Sequence, residues 1–93
     1  MFYVYLIVTK YKKNLISYVG YTKDLKKRLF LHNNSKGAKF TKGRHWKLIY
    51  FKKYKSKIKA LKEEYNLKKN YKLRSRIKKK YLISNENSNS FTI

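Results

Sequence analysis

Residues 16–33 read ISYVGYTKDLKKRLFLHN, from Ile16 to Asn33, and join a strand, a glycine turn and a capped helix with no spacer. Tyr18-Val19-Gly20 closes the strand, whose aromatic and β-branched residues suit a pleated surface. Thr22 is placed to offer its hydroxyl to the unpaired N–H groups of the following helix, and Asp24 to set a negative charge in that helix's electropositive first turn. On a helical wheel Leu25 and Leu29 mark the buried stripe, and Arg28 and His32 fall on the same side. A guanidinium aimed at a core needs a polar partner, so the stretch reads as one that bears a site.

Before it, Phe2 to Thr9 is dense in Tyr, Val, Leu and Ile and should pair with Ile16–Tyr21 as an antiparallel hairpin across the polar interval Lys10–Asn14. Alternation puts Tyr3, Tyr5 and Ile7 on one face and Phe2, Val4 and Leu6 on the other, with a register that sets Tyr5 opposite Tyr18. Trp46 to Tyr54 is a third strand whose large side chains, Trp46 included, are assigned to packing rather than base stacking. Between helix and strand lies Asn34 to His45, NSKGAKFTKGRH. It reads either as a solvated connector or as a phosphate-contacting loop; the second is favoured, because glycines let backbone N–H groups close on an anion.

Lys57 to Asn70 forms a second helix, capped by Ser56. Its wheel centres on Leu61, with Ile58 and Tyr65 on one flank and Ala60 and Leu67 on the other. Glu64 falls inside this arc and Glu63 points away. An ionised carboxylate on an apolar face calls for an ion-pair partner or a metal, and both readings stand. Tyr71 to Ile83 repeats Leu73, Ile77, Tyr81 and Leu82 at helical spacing, with Lys72, Arg74, Arg76, Lys78, Lys79 and Lys80 on the other face, either solvated or against a duplex. SNENSNSFTI is a polar tail expected to be disordered, which divides the chain into a domain at 1–83 and a tail at 84–93.

The 93 residues suffice for one small domain. Cysteine is absent, so stability must come from packing, as suits a reducing cytoplasm. The apolar start, Met1 to Val8, is too short to cross a membrane and lacks a basic leader, so neither a signal peptide nor a membrane span is expected. Twenty-six Lys and Arg against four Asp and Glu give a net charge of +22, which calls for a polyanion. Nucleic acid is preferred over a membrane surface, because the basic residues are spread along the chain and interleaved with ten tyrosines rather than lined along one amphipathic helix. Lys outnumbers Arg by 22 to 4, which favours contacts to phosphate over base reading and implies weak sequence preference.

In this order the motifs resemble the GIY-YIG endonuclease family, most closely its small stand-alone bacterial members. Tyr3-Val4-Tyr5 stands at the first motif, with Tyr3 in place of its glycine, and Tyr18-Val19-Gly20 stands at the second. Gly20-Tyr21-Thr22, Asp24-Leu25, Lys27-Arg28-Leu29 and His32-Asn33 follow, then Lys36-Gly37-Ala38-Lys39-Phe40-Thr41, Trp46-Lys47-Leu48-Ile49-Tyr50 and Ala60-Leu61-Lys62-Glu63-Glu64. The resemblance implies an α+β fold, a small three-stranded antiparallel sheet flanked by about three helices. It also implies hydrolysis of DNA phosphodiester bonds with one divalent metal ion, Mg²⁺ or Mn²⁺, in DNA repair, recombination or nucleic-acid processing, and a preference for structured or single-stranded substrates.

By the same resemblance Tyr5 helps activate the attacking water, Tyr18 orients water or phosphate, Arg28 holds the scissile phosphate, His32 serves water or leaving-group chemistry, and Glu64 binds the metal. Gly20, Tyr21, Lys36, Lys39, Lys42, Arg44 and Lys68 are the candidate nucleic-acid contacts. A single carboxylate is enough for Mg²⁺, which keeps several waters and takes phosphate oxygens as its remaining ligands. The partner is DNA, with RNA as the alternative, and monomer and weak homodimer are both open. Two other readings compete: a nucleic-acid-binding module that keeps the fold without cutting, and a subunit that docks on RNA or a ribonucleoprotein.

Overall fold

The computed structural model describes residues 1–92, with side chains through Ser84. Its elements in chain order are β1 (Phe2–Tyr11), β2 (Asn14–Thr22), α1 (Leu25–Asn33), a 3₁₀ turn (Lys39–Thr41), β3 (Lys47–Tyr54), α2 (Lys57–Lys69) and α3 (Tyr71–Thr92). The three strands form one antiparallel sheet in the order β2-β1-β3, which makes the fold α+β as the motifs imply.

β1 is the central strand and is buried from Val4 through Thr9, because both faces of the sheet are covered. On one face Val4, Leu6 and Val19 form a core with Ala60 and Leu67 of α2, and Leu73 and Ile77 of α3 pack against it. On the other, Tyr5, Ile7 and Trp46 form a second core with Leu25 and Leu29 of α1 and with Tyr18. The alternation expected for β1 is therefore observed. The register is not: Tyr5 faces Gly20, and Tyr18 faces Ile7. The strands run further into the polar interval than its composition suggests, closing at Tyr11 opposite Asn14 around Lys12-Lys13, with Lys12 in the left-handed region at φ 57°. A slip of two residues preserves which side chains face which core, so the face assignment survives a wrong register.

Asp24, not Thr22, caps α1. The Asp24 side chain accepts from the Lys27 N–H at 3.1 Å, while the Thr22 hydroxyl accepts from the Asp24 N–H at 3.1 Å and holds the preceding turn. Adjacent to the first helical residue, the carboxylate is the group within reach of the third N–H. Ser56 caps α2 as expected, accepting from the Lys59 N–H at 3.3 Å.

The buried stripe of α2 differs from the wheel. Ala60 and Leu67 are buried, whereas Leu61, Tyr65 and Ile58 are exposed, Ile58 to 80%. The methyl of Ala60 lets the helix backbone lie close to the sheet, and that approach rotates the larger Leu61 outward. Glu63 and Glu64 consequently flank the stripe and are both half-buried, so Glu63 does not point away.

Helix α3 starts on Asn70, whose side chain accepts from the Leu73 N–H at 3.1 Å. Two members of its basic face are structural. Arg74 Nη1 donates to the carbonyls of Leu67 and Lys68, satisfying the end of α2, and Lys78 Nζ donates to the Leu15 carbonyl at 3.3 Å. The helix continues beyond Ile83, where the apolar periodicity ends. The proposed tail at 84–93 falls mostly on residues whose side chains lie outside the described ones. Among the described residues no helix is long and apolar enough to cross a membrane.

Candidate active site

The site is built on the pairing of Tyr5 with Gly20. The Tyr5 ring lies across the neighbouring strand, and a Cβ at Gly20 would fall on the ring and its hydroxyl. Glycine is required there for close approach rather than for backbone freedom. The ring is 2% exposed and its hydroxyl reaches α1, 2.7 Å from His32 Nε2, while Arg28 Nε donates to the same oxygen at 3.4 Å. Arg28 and His32, one turn apart on the inward stripe of α1, thus converge on one phenol.

His32 is itself held from behind. It is 0% exposed, with Nδ1 2.9 Å from Thr41 Oγ1. Thr41 sits in the 3₁₀ turn, where its hydroxyl donates to the Ala38 carbonyl at 2.9 Å and accepts from the Ala38 N–H at 3.1 Å. Gly37 lies under the imidazole, and a Cβ there would fall on Nδ1. Trp46 closes the floor: its indole N–H donates to the Thr41 carbonyl at 3.0 Å, and Asn33 accepts from its backbone N–H at 2.6 Å and donates to its carbonyl at 3.2 Å. The segment Asn34–His45 is therefore folded around His32, and is neither a free connector nor a loop turned wholly to solvent.

These bonds assign the protons. Burial, reinforced by the positive charge of Arg28, lowers His32 to about 4, so the imidazole is neutral near pH 7 and carries one N–H. The single hydroxyl proton of Thr41 goes to Ala38, which leaves its oxygen to accept from Nδ1–H. Nε2 is then an acceptor, and the Tyr5 O–H donates to it. Tyr5 is pushed up to about 12, chiefly by burial; the hydrogen bond and charge of Arg28 oppose the rise, and Tyr18 and Glu64 add to it. The resting site holds a neutral phenol between a guanidinium and a neutral imidazole.

Tyr18 stands edge-on to His32 with ring centroids 5.2 Å apart, and stacks on Phe40 at 6.3 Å with a 19° interplanar angle. Glu64 comes from α2, in the opposite layer, close enough for its charge to act on Tyr5. Its carboxylate is 3.9 Å from Lys68 Nζ, and the Glu64 side chain keeps 20% exposure, so its oxygens are not consumed by a tight pair. No group of three or more His, Cys, Asp or Glu able to hold a metal occurs among the described residues. Glu64 fits a hard cation that draws its other ligands from water and phosphate, and does not fit an all-protein cage.

The other sequence candidates divide. Gly20 lies under Tyr5. Tyr21 faces the opposite core and stacks on Phe2 at 6.1 Å, away from the Tyr5 hydroxyl. Lys36, Lys39 and Lys42 are exposed on the segment that walls His32. Arg44 lies against aromatic rings, and Lys68 lies beside Glu64. In the sequence reading Thr41 carries no site role and Gly37 serves only as a flexible glycine of a phosphate-contacting loop, although Thr41 is the one uncharged hydrogen-bonding side chain between Lys36 and Arg44.

Curated relatives share most of this chain. A UPF0213 protein of Staphylococcus saprophyticus is 43% identical over 81 residues, covering 86% of this chain and 93% of the relative. A UPF0213 protein of Clostridium perfringens is 43% identical over 70 residues, covering 74% and 72%. One from Oceanobacillus iheyensis is 46% identical over 52 residues, covering 55% and 60%. No solved structure matches. The family model described as the GIY-YIG catalytic domain matches residues 1–81, which hold all three strands and every member of the Tyr5 cluster, and the chain thus belongs to the GIY-YIG family of nuclease domains.

Proposed function

We propose that this chain is a divalent-metal-dependent endonuclease that hydrolyses DNA phosphodiester bonds, with little sequence specificity and a preference for structured or single-stranded sites. The observation that carries this is the run of hydrogen bonds from Arg28 through Tyr5 and His32 to Thr41, buried from Tyr5 onward, whose phenol lies beside Tyr18 and within the field of Glu64.

Arg28 binds a nonbridging oxygen of the scissile phosphate and opposes the charge that builds there as water attacks in line. Tyr5 passes its proton to His32 Nε2 and takes the proton released by the attacking water, so that proton ends on the imidazole. In the free protein this transfer is uphill, with Tyr5 pushed to about 12 and His32 lowered to about 4. A phosphate seated on Arg28 offsets the positive charge that disfavours imidazolium, so substrate narrows the gap. A water at the site gives its proton to the departing oxygen, and the proton held by His32 returns through the Tyr5 hydroxyl to the hydroxide so formed, which restores both groups. Glu64 would hold the divalent cation, which supplies Lewis-acid charge to the phosphate and leaving-group oxygens when bound. The high position of the Tyr5 phenol also favours a second reading, a nucleic-acid-binding module that retains the fold without cutting.

The test is cleavage of single-stranded, nicked, branched and duplex DNA by purified protein, with Mg²⁺ and with chelator. Wild type is expected to cut only with Mg²⁺, and Glu64→Ala and Arg28→Ala are expected to bind without cutting. Identical products from wild type and Glu64→Ala would assign the cutting to a contaminant and leave the binding module.

A further inference from the structure

At the end of the sheet remote from the Tyr5 hydroxyl, the last residues of β1, the segment Lys42–His45 and Tyr81 of α3 enclose a cleft of about 770 Å³. That volume lies within the range of small-molecule sites. Lys10, Lys42, Arg44 and Lys47 line it, and among the described residues no carboxylate does. Two large aromatic side chains stand at its approach, Tyr11 at 49% and Phe40 at 50% exposure. The Arg44 guanidinium lies between them, 5.3 Å from the Tyr11 ring centroid and 5.7 Å from that of Phe40. Phe40 also meets Tyr18, stacked at 6.3 Å, and the buried Trp46, tilted at 6.1 Å, and Tyr18 stands edge-on to His32. An unbroken row of flat groups, Tyr18, Phe40, Arg44 and Tyr11, therefore leads from the candidate active site to a cation-lined cleft.

Core packing accounts for Tyr18 and for the side of Phe40 that meets Trp46, but not for the half-exposure of Tyr11 and Phe40. Half-exposed rings that alternate with a guanidinium and are bordered by lysines form a stacking platform inside a positive groove, the arrangement that holds unpaired bases. A duplex keeps its base faces against one another and has none to offer such rings. The +22 charge of the chain favours a polyanion as ligand, and the half-exposed Tyr11 and Phe40 beside that charge favour one that carries unpaired planar groups. We propose that the Tyr18–Phe40–Arg44–Tyr11 row and its cleft bind unpaired nucleotides flanking the scissile phosphate, with the bases on the rings and guanidinium and the phosphates on Lys10, Lys42 and Lys47. This rests on the nuclease reading and narrows its substrate to a strand that is single on that side.

Fluorescence anisotropy with labelled DNA in chelator reads binding without cleavage. Three probes are used: a single strand, the same strand with abasic sites throughout, and a blunt duplex. Tyr11→Ala and Phe40→Ala are each expected to weaken single-strand binding about five- to hundredfold while leaving the blunt duplex within about twofold. Wild type is expected to lose a comparable factor on the abasic strand, a comparison that needs no variant to fold. Equal binding of intact and abasic strands, or equal weakening of all three probes by Tyr11→Ala, overturns the stacking site while leaving the nuclease reading intact. Failure of wild type to bind any probe overturns both.

Discussion

Acidification provides a test of the His32 assignment that does not depend on the proposed activity. Free histidine titrates near 6.5, and the folded chain lowers His32 to about 4 because the ring is buried beside Arg28. Between those values the unfolded chain binds a proton that the folded chain refuses. Stability is therefore full above about pH 6.5, falls as pH drops through the interval, and levels off below about pH 4. The linkage integral gives a loss of about 2 kcal/mol at about pH 5 and about 3 kcal/mol at the plateau. The upper part of this window lies above the ordinary carboxylate range, which isolates the imidazole. Urea unfolding can be followed by the emission of Trp46, the only tryptophan, which is 1% exposed and floors the site. With an m-value of about 1–2 kcal/mol/M, the midpoint should fall by about 1–2 M between about pH 7.5 and about pH 5. His32→Gln should remove most of that slope. A midpoint that stays put, a His32→Gln variant with the wild-type slope, or a His32 NMR titration centred near 6.5 would each refute the buried neutral imidazole.

Gly20→Ala should displace the Tyr5 ring, cost about 1–3 kcal/mol in a thermal or urea melt, and abolish single-turnover cleavage, because the new methyl and the phenol claim the same space. Thr41→Val leaves His32 Nδ1–H and the Ala38 N–H without their acceptor and should cost about 1–3 kcal/mol, with Thr41→Ser recovering most of it. Glu64→Gln should change stability by less than about 1 kcal/mol, since its partner Lys68 is 3.9 Å away with a side chain 53% exposed. The same variant should lose Mn²⁺ binding in calorimetry and metal-dependent cleavage together.

Much of the molecule follows from periodicity within single segments. Alternation along Phe2–Val8 assigns each side chain to its face, and the spacing of Leu25, Arg28, Leu29 and His32 puts two polar groups on the inward stripe of α1 before any partner is known. Those properties belong to one stretch of backbone and are written in its sequence. The family motifs add the identity of the likeness, because their order along the chain survives errors of register.

The tertiary structure decided what depends on two segments at once. Tyr5 faces Gly20 because a tight turn closes at Tyr11 and Asn14, and the glycine leaves room for the ring. Ala60, not Leu61, meets the sheet because approach distance favours the smaller side chain. Thr41 meets His32 only once a 3₁₀ turn brings it under the imidazole, and Arg74 becomes a helix cap only where α2 ends. Side-chain periodicity records which way a residue points. Register, depth and hydrogen-bond pairing are set by what lies opposite, and that is fixed by the packing of the whole chain.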